Sequence, residues 1–303
     1  MNKQPLFIIG VPRSGTTIVF DAVSSHPRLG WLSNYSAMYP AQPWLNGLRR
    51  LFDNRWINLR GRKKQYGSVR PGNRYYPQPD EAYEFWDHYA GADFSRDYLL
   101  GRTASSETAQ RVHSAVQSVI DWQGRSEFAT KLTGPGRIHY LSSIFPGARY
   151  VNVIRDARAV VSSLMHIDFW ERNGGLIRPY WSNGLDSQMI DEWKSNGSDP
   201  VILAAMQWKR IVETTRGEAN ELPQGHYMEV RYEDFVTMPA KMIGRIFDFA
   251  GLSADAGMPV ILGDVGKFPD MSVVRYKGLV DEDVRKVESV AATQLEELGY
   301  EKH

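Results

Sequence analysis

Short β-branched apolar runs alternating with helically spaced apolar residues predict an α/β fold. The expected form is P-loop-like and three-layered: one domain over residues 1–303, a central parallel sheet, and helical or loop insertions that form a pocket. Two observations sharpen it. The string Gly10-Val-Pro-Arg-Ser-Gly-Thr-Thr17 joins the first apolar run to a helix, the context in which backbone N–H groups and a helix N-terminus hold a phosphate. Arg149–Ile154 is apolar and β-branched without strict alternation, as in a strand covered on both faces.

In chain order, Leu6–Gly10 reads as a short buried strand and Thr16–Ser25 as the helix after it. Val112–Trp122 has helical spacing. Arg149–Ile154 is a strand, continued by a helix over Ala157–His166. Tyr227–Val230 suggests another strand. Pro239–Ala250 follows as a helix stopped by Gly251, and Glu282–Leu298 closes as an amphipathic helix. The Trp- and Gly-rich stretches 31–90 and 168–200 fit this rhythm poorly. They read as a lid or pocket inside insertions of about 31–110 and 168–205.

The chain has 303 residues, with 36 Lys+Arg against 35 Asp+Glu and no cysteine. That excludes a disulfide scaffold, thiolate metal sites and a cysteine nucleophile. No run is long enough for a signal peptide or a transmembrane span, so a soluble, cytoplasmic protein is expected. The net charge of +1 hides local polarity. Residues 49–74 carry nine basic side chains and one acid, while 80–97 reverses the sign with six acids against Arg96. Each is either a solvated face or, for the basic run, a flap over an anionic ligand.

Gly10, Gly15 and Thr17 match a Walker A frame, G-x-x-x-x-G-K-[ST], but Thr16 stands at the Lys position and the cation has moved forward to Arg13. A standard NTPase needs that Lys on the β/γ-phosphates, so one is disfavoured, whereas Arg13 can grip a terminal anion bidentately. Arg155 ends a predicted strand, where ligands bind in open parallel sheets. Ser163 lies two helical turns on, and the two can close on one phosphate. The bland alternative pairs Arg155 with Asp156 or a sheet-edge carboxylate.

With these two anchors the sequence resembles the sulfotransferases that use 3′-phosphoadenosine 5′-phosphosulfate (PAPS), over residues 6 to about 299. Pro12-Arg13-Ser14-Gly15-Thr16-Thr17 looks like their 5′-phosphosulfate loop, in the Arg form of bacterial and tyrosylprotein branches. The strand with Arg155, then Ser163, looks like their 3′-phosphate motif. Arg231-Tyr-Glu-Asp-Phe235 is similar to the segment whose Tyr, here Tyr232, lies near the adenosine. Ser272-Val-Val-Arg275-Tyr276 resembles the late segment that returns a basic residue, here Arg275, to the phosphates. Lys131-Leu-Thr133 and Leu298-Gly-Tyr300 also agree.

The resemblance implies transfer of a sulfuryl group from PAPS to a hydroxyl of a small molecule, lipid or glycan, leaving adenosine 3′,5′-bisphosphate. No metal and no nucleic acid are implied, and a homo-oligomer is left open. A P-loop small-molecule kinase and a catalytically silent PAPS-binding protein are the competing readings. Arg13 and the amides of Ser14 to Thr17 would hold the 5′ end.

A base is also needed. An ungapped count through His26-Pro27 puts Asn34 where the tyrosylprotein branch has Glu, and an amide cannot deprotonate an alcohol. On a helix Glu81, Glu84 and His88 would share one face, and these are the candidates. His26 reads as packing, His166 as a lesser candidate, and Lys131 as steadying the sulfate or the loop. Eight of nine Trp lie in or beside the insertions, which suits a partly aromatic acceptor site.

Overall fold

A computed structural model of the chain describes residues 4–54, 72–253 and 278–301, with the Arg74 side chain left out. Its centre is a five-stranded, wholly parallel sheet in the order β2-β3-β1-β4-β5. The strands are β1 Leu6–Gly10, β2 Leu29–Gly30, β3 Glu127–Thr133, β4 Arg149–Ile154 and β5 Tyr227–Arg231. β1 is central because both its faces are apolar. Phe7 and Ile9 enter one core with helices Tyr83–Ala90, Ser106–Gln123 and Ile138–Ile144. Leu6 and Ile8 enter another with Thr16–Val23 and Pro239–Ala250. Strand alternation thus assigns the two outer layers. Phe7, Ile8 and Ile9 are fully buried, each contributing about 1.5–3 kcal/mol by leaving water.

Helices Ala157–Leu164, Pro200–Ala219 and Asp281–Glu297 form a third apolar cluster through Val160, Trp208 and Val287. This is the P-loop-like α/β architecture expected. β1, β4 and Pro239–Ala250 have the predicted bounds, and Gly251 ends that helix in the left-handed conformation (φ 68°). The first helix stops at Val23 rather than Ser25, and the helix read over Val112–Trp122 runs from Ser106 to Gln123. Helix Pro200–Ala219 begins inside the stretch 168–205. Among the described residues no helix is long and apolar enough to cross a membrane.

Candidate active site

The loop after β1 is shaped by close approach. A Cβ on Gly10 would lie 2.5 Å from the Val153 carbonyl oxygen, and one on Gly15 would lie 2.1 Å from the Tyr232 ring. Gly15 also has φ 95° as the residue capping helix Thr16–Val23. Arg13 adopts φ 72° without being glycine, a conformation that costs on the order of 1–3 kcal/mol and clusters at ligand-binding loops. The Ser14 amide donates to the Val11 carbonyl (3.0 Å). The first-turn N–H groups of the helix have no intrahelical partner. The Ser14 hydroxyl is buried with no hydrogen-bond partner among the described residues. An orphaned buried hydroxyl beside a helix N-terminus fits an anionic ligand.

The two motifs meet directly. Arg13 Nε donates to Ser163 Oγ at 2.9 Å, and Arg155 Nη1 donates to the Arg13 carbonyl at 3.0 Å. The Arg155 guanidinium lies 4.6 Å over the Tyr232 ring, and Trp208 Nε1 donates to the Arg155 carbonyl at 3.3 Å. Asp156 is not its partner. That carboxylate caps helix Ala157–Leu164 and pairs with Arg158 at 2.7 Å. Arg275 and Tyr276 lie outside the described residues.

The loop opens into a cavity of about 970 Å³ that also holds Glu81, Glu84, Asp87 and Lys131. Glu81 precedes the helix Tyr83–Ala90 instead of sharing its face, since Ala82 has φ 46° and the first turn starts only at Tyr83. His88 is exposed, sets its ring edge-on against Tyr89, and does not line the cavity. Lys131, on β3, is 2 % exposed; its Nζ lies 2.6 Å from Glu81 Oε1 and donates to Thr17 Oγ1 at 2.8 Å. Burial alone would lower its pKa, but the Glu81 carboxylate, with Asp21 and Asp80 farther out, holds the ammonium above its ordinary value. Thr133 Oγ1 donates to Glu81 Oε2 at 3.0 Å. The Tyr83 hydroxyl donates to the Thr133 carbonyl and accepts from the Thr133 amide. Burial, then the Glu81 charge, pushes that hydroxyl's pKa up.

The sequence reads Lys131 only as steadying the sulfate or the loop, and its ion pair with Glu81 has no local signature. Asn34 accepts from the Gln78 amide at 3.1 Å and does not line the cavity. His166 hydrogen-bonds the Ser162 carbonyl at 2.8 Å. His26 packs edge-on against Phe247.

The segments around Asp97 and Ser182 clasp each other beside the cavity. Asp97 and Ser182 form a parallel bridge, with the Ser182 amide on the Arg96 carbonyl at 2.8 Å and Asn183 on the Asp97 carboxylate at 2.6 Å. Arg96 stacks 4.6 Å over Tyr180 and donates to Asn173 at 3.0 Å. The cavity is lined by the rings of Tyr83, Phe169, Tyr180, Trp181 and Tyr232, and among the described residues Trp181 is its one indole. Trp31, Trp86, Trp170, Trp193 and Trp208 are buried outside its lining, Trp44 and Trp122 are about half exposed elsewhere, and Trp56 lies outside the described residues. Large flat rings filled cores because burial, not ligand contact, is their common use. Of the basic run, Arg49 is buried under Trp31 (4.2 Å) and bonded to Gln123 and Asp53, so it belongs to the core and not to a flap; most of the run lies outside the described residues.

A profile of the sulfotransferase family matches residues 5–256. Protein-tyrosine sulfotransferase A of Caenorhabditis elegans is 22% identical, covering 98% of this chain and 67% of its own length. The omega-hydroxy-beta-dihydromenaquinone-9 sulfotransferase Stf3 of Mycobacterium bovis is also 22% identical, over 99% of this chain and 76% of its own. Among solved structures, sulfotransferase STF9 from Mycobacterium avium superposes with a TM-score of 0.59 at 17% identity, over 99% of this chain and 78% of that one.

Proposed function

Since the chain belongs to the sulfotransferase family, we propose that it transfers the sulfuryl group of PAPS to a hydroxyl of a small molecule, lipid or glycan. The observation that carries this is the joining of both anion-binding motifs through the Arg13–Ser163 hydrogen bond, at a cavity that also holds Glu81. The two relatives are named for protein tyrosine and for an omega-hydroxy dihydromenaquinone, which supports a hydroxyl acceptor.

The donor supplies an activated sulfuryl group, less charged than a phosphoryl group, so catalysis is positioning and charge stabilisation. Arg13, with the amides of Gly15, Thr16 and Thr17, would hold the 5′ end. Arg155 and Ser163 would hold the 3′-phosphate, and Tyr232 would pack beside the nucleoside. Glu81 would take the proton of the acceptor hydroxyl as its oxygen bonds to sulfur. The sulfur–oxygen bond to the 5′-phosphate would break with its electron pair leaving on that phosphate, where Arg13 would meet the charge. Thr133 holds one carboxylate oxygen of Glu81 in place for this, and Lys131 pairs with the other.

Calorimetric titration with adenosine 3′,5′-bisphosphate without magnesium tests the donor, and radiolabelled sulfuryl transfer into a metabolite extract tests the reaction. Binding of the bisphosphate and a labelled product are expected. Preference for magnesium–ATP would favour a kinase, and bisphosphate binding with no labelled acceptor would favour a silent binder. Arg155→Ala should weaken bisphosphate binding by roughly 2–3 kcal/mol, the size of a charge-assisted contact. Adenosine 5′-phosphate should lose much less, and equal losses would remove the 3′-phosphate assignment.

A further inference from the structure

We infer that Lys131 is a shared cation for which Glu81 and the 5′ end of the donor compete, so that donor binding relieves Glu81 of its counterion and arms it as a base. This rests on the function proposed above.

The ammonium stands between the two halves of the site. Its partners are Thr17 Oγ1 in the donor loop at 2.8 Å and Glu81 Oε1 at 2.6 Å, and all three side chains line the same cavity. At 2 % exposure it has little water to share its charge with, and a charge in such a site acts strongly on its neighbours. An anion held by the Thr17 hydroxyl and the first-turn amides draws on the same ammonium that neutralises Glu81.

Glu81 does not depend on Lys131 for its position. Thr133, two residues along β3 and on the same face, donates to the second oxygen at 3.0 Å, and the Tyr83 hydroxyl fixes the Thr133 backbone at both its amide and its carbonyl. Loss of the counterion therefore raises the proton affinity of a carboxylate that stays where it is. The arrangement makes Lys131 a positioning residue that reports donor occupancy to the base, and it favours donor binding before acceptor chemistry.

Coupling of this kind is read by binding alone. Affinity for adenosine 3′,5′-bisphosphate is measured calorimetrically for the intact chain and for Glu81→Gln, Lys131→Met and the double variant. Glu81→Gln should tighten binding about fivefold or more, the usual size of coupling between sites. Lys131→Met should weaken it at least about tenfold. The double variant should match Lys131→Met within about twofold, because Glu81 acts through Lys131. A Glu81→Gln gain that survives undiminished in the double variant would show a general field effect and overturn the proposal, as would no gain at all. Should Lys131→Met fail to fold with its carboxylate unneutralised, the double variant carries no such charge, and it still decides against Glu81→Gln. If the intact chain binds magnesium–ATP and not the bisphosphate, the donor assignment falls and takes this inference with it. If it binds the bisphosphate and only the Glu81→Gln gain is missing, the donor assignment stands.

Discussion

His26 is held neutral by its surroundings. Nδ1 accepts the Arg28 amide at 3.2 Å, which leaves the Nε2 proton for the Ser253 carbonyl at 3.1 Å. Burial lowers its pKa from the ordinary 6.5, and the Ser253 carbonyl offsets this only in part. Below pH 6.5 the unfolded chain therefore binds a proton that the folded chain resists. Stability is full above that value and declines as pH falls toward the depressed folded pKa. Melting temperatures between pH 7.5 and 5 should fall more steeply for the natural chain than for His26→Gln; equal slopes would remove His26 as the group responsible. At this scale the sequence is most legible where a motif or a residue type by itself suggests the role. His26 read as packing, and Arg13 read as a loop cation. Lys131 and Glu81 were not seen as a pair, because strand β3 and the segment before helix Tyr83–Ala90 meet only in the folded chain.

Helix ends show the same division. Ser105 caps the 18-residue helix Ser106–Gln123 by accepting the Thr108 amide at 3.1 Å. Ser105→Ala should cost about 1 kcal/mol, read as a lower urea midpoint with an unchanged slope, while Ser105→Asp should hold the midpoint. No change with Ala would mean that the cap contributes nothing in water. Strands rich in apolar residues are legible: β1 is a continuous apolar run, β4 is β-branched and apolar apart from Arg149 and Asn152, and β5 differs from its reading only by adding Arg231. β3 was not read as a strand because Glu127, Thr130 and Lys131 interrupt it. Helix Pro200–Ala219 was overlooked because it is apolar around much of its circumference, which blurs the 3.6-residue period. Its signal was at the start, where Asp199 accepts from the Val201 amide at 2.7 Å and Pro200 follows as the first helical residue.

Across the whole molecule, Arg158 ties the end of β4 to the last helix. Its guanidinium is 4 % exposed and lies between Asp156 at 2.7 Å and Glu288. Arg158→Met takes the cation from between two mostly buried carboxylates and should cost about 3–5 kcal/mol, since a broken buried pair leaves charge uncompensated. Chemical denaturation would show it as a large drop in midpoint; a loss under about 1 kcal/mol, the level of a surface pair, would contradict the assignment. Long-range ties of this sort have no local signature. For that reason the layered architecture was legible from strand and helix alternation, while the connections that lock its layers were not.

The clasp at Asp97 and Ser182 bears on how the enzyme can be re-engineered. Arg96 and Trp181 reach the cavity from opposite halves of that seam. Grafting either stretch alone into a sulfotransferase of different acceptor preference would leave Asp97 or Asn183 facing a stranger across the seam. The two segments therefore behave as one two-part cassette, to be exchanged or evolved together.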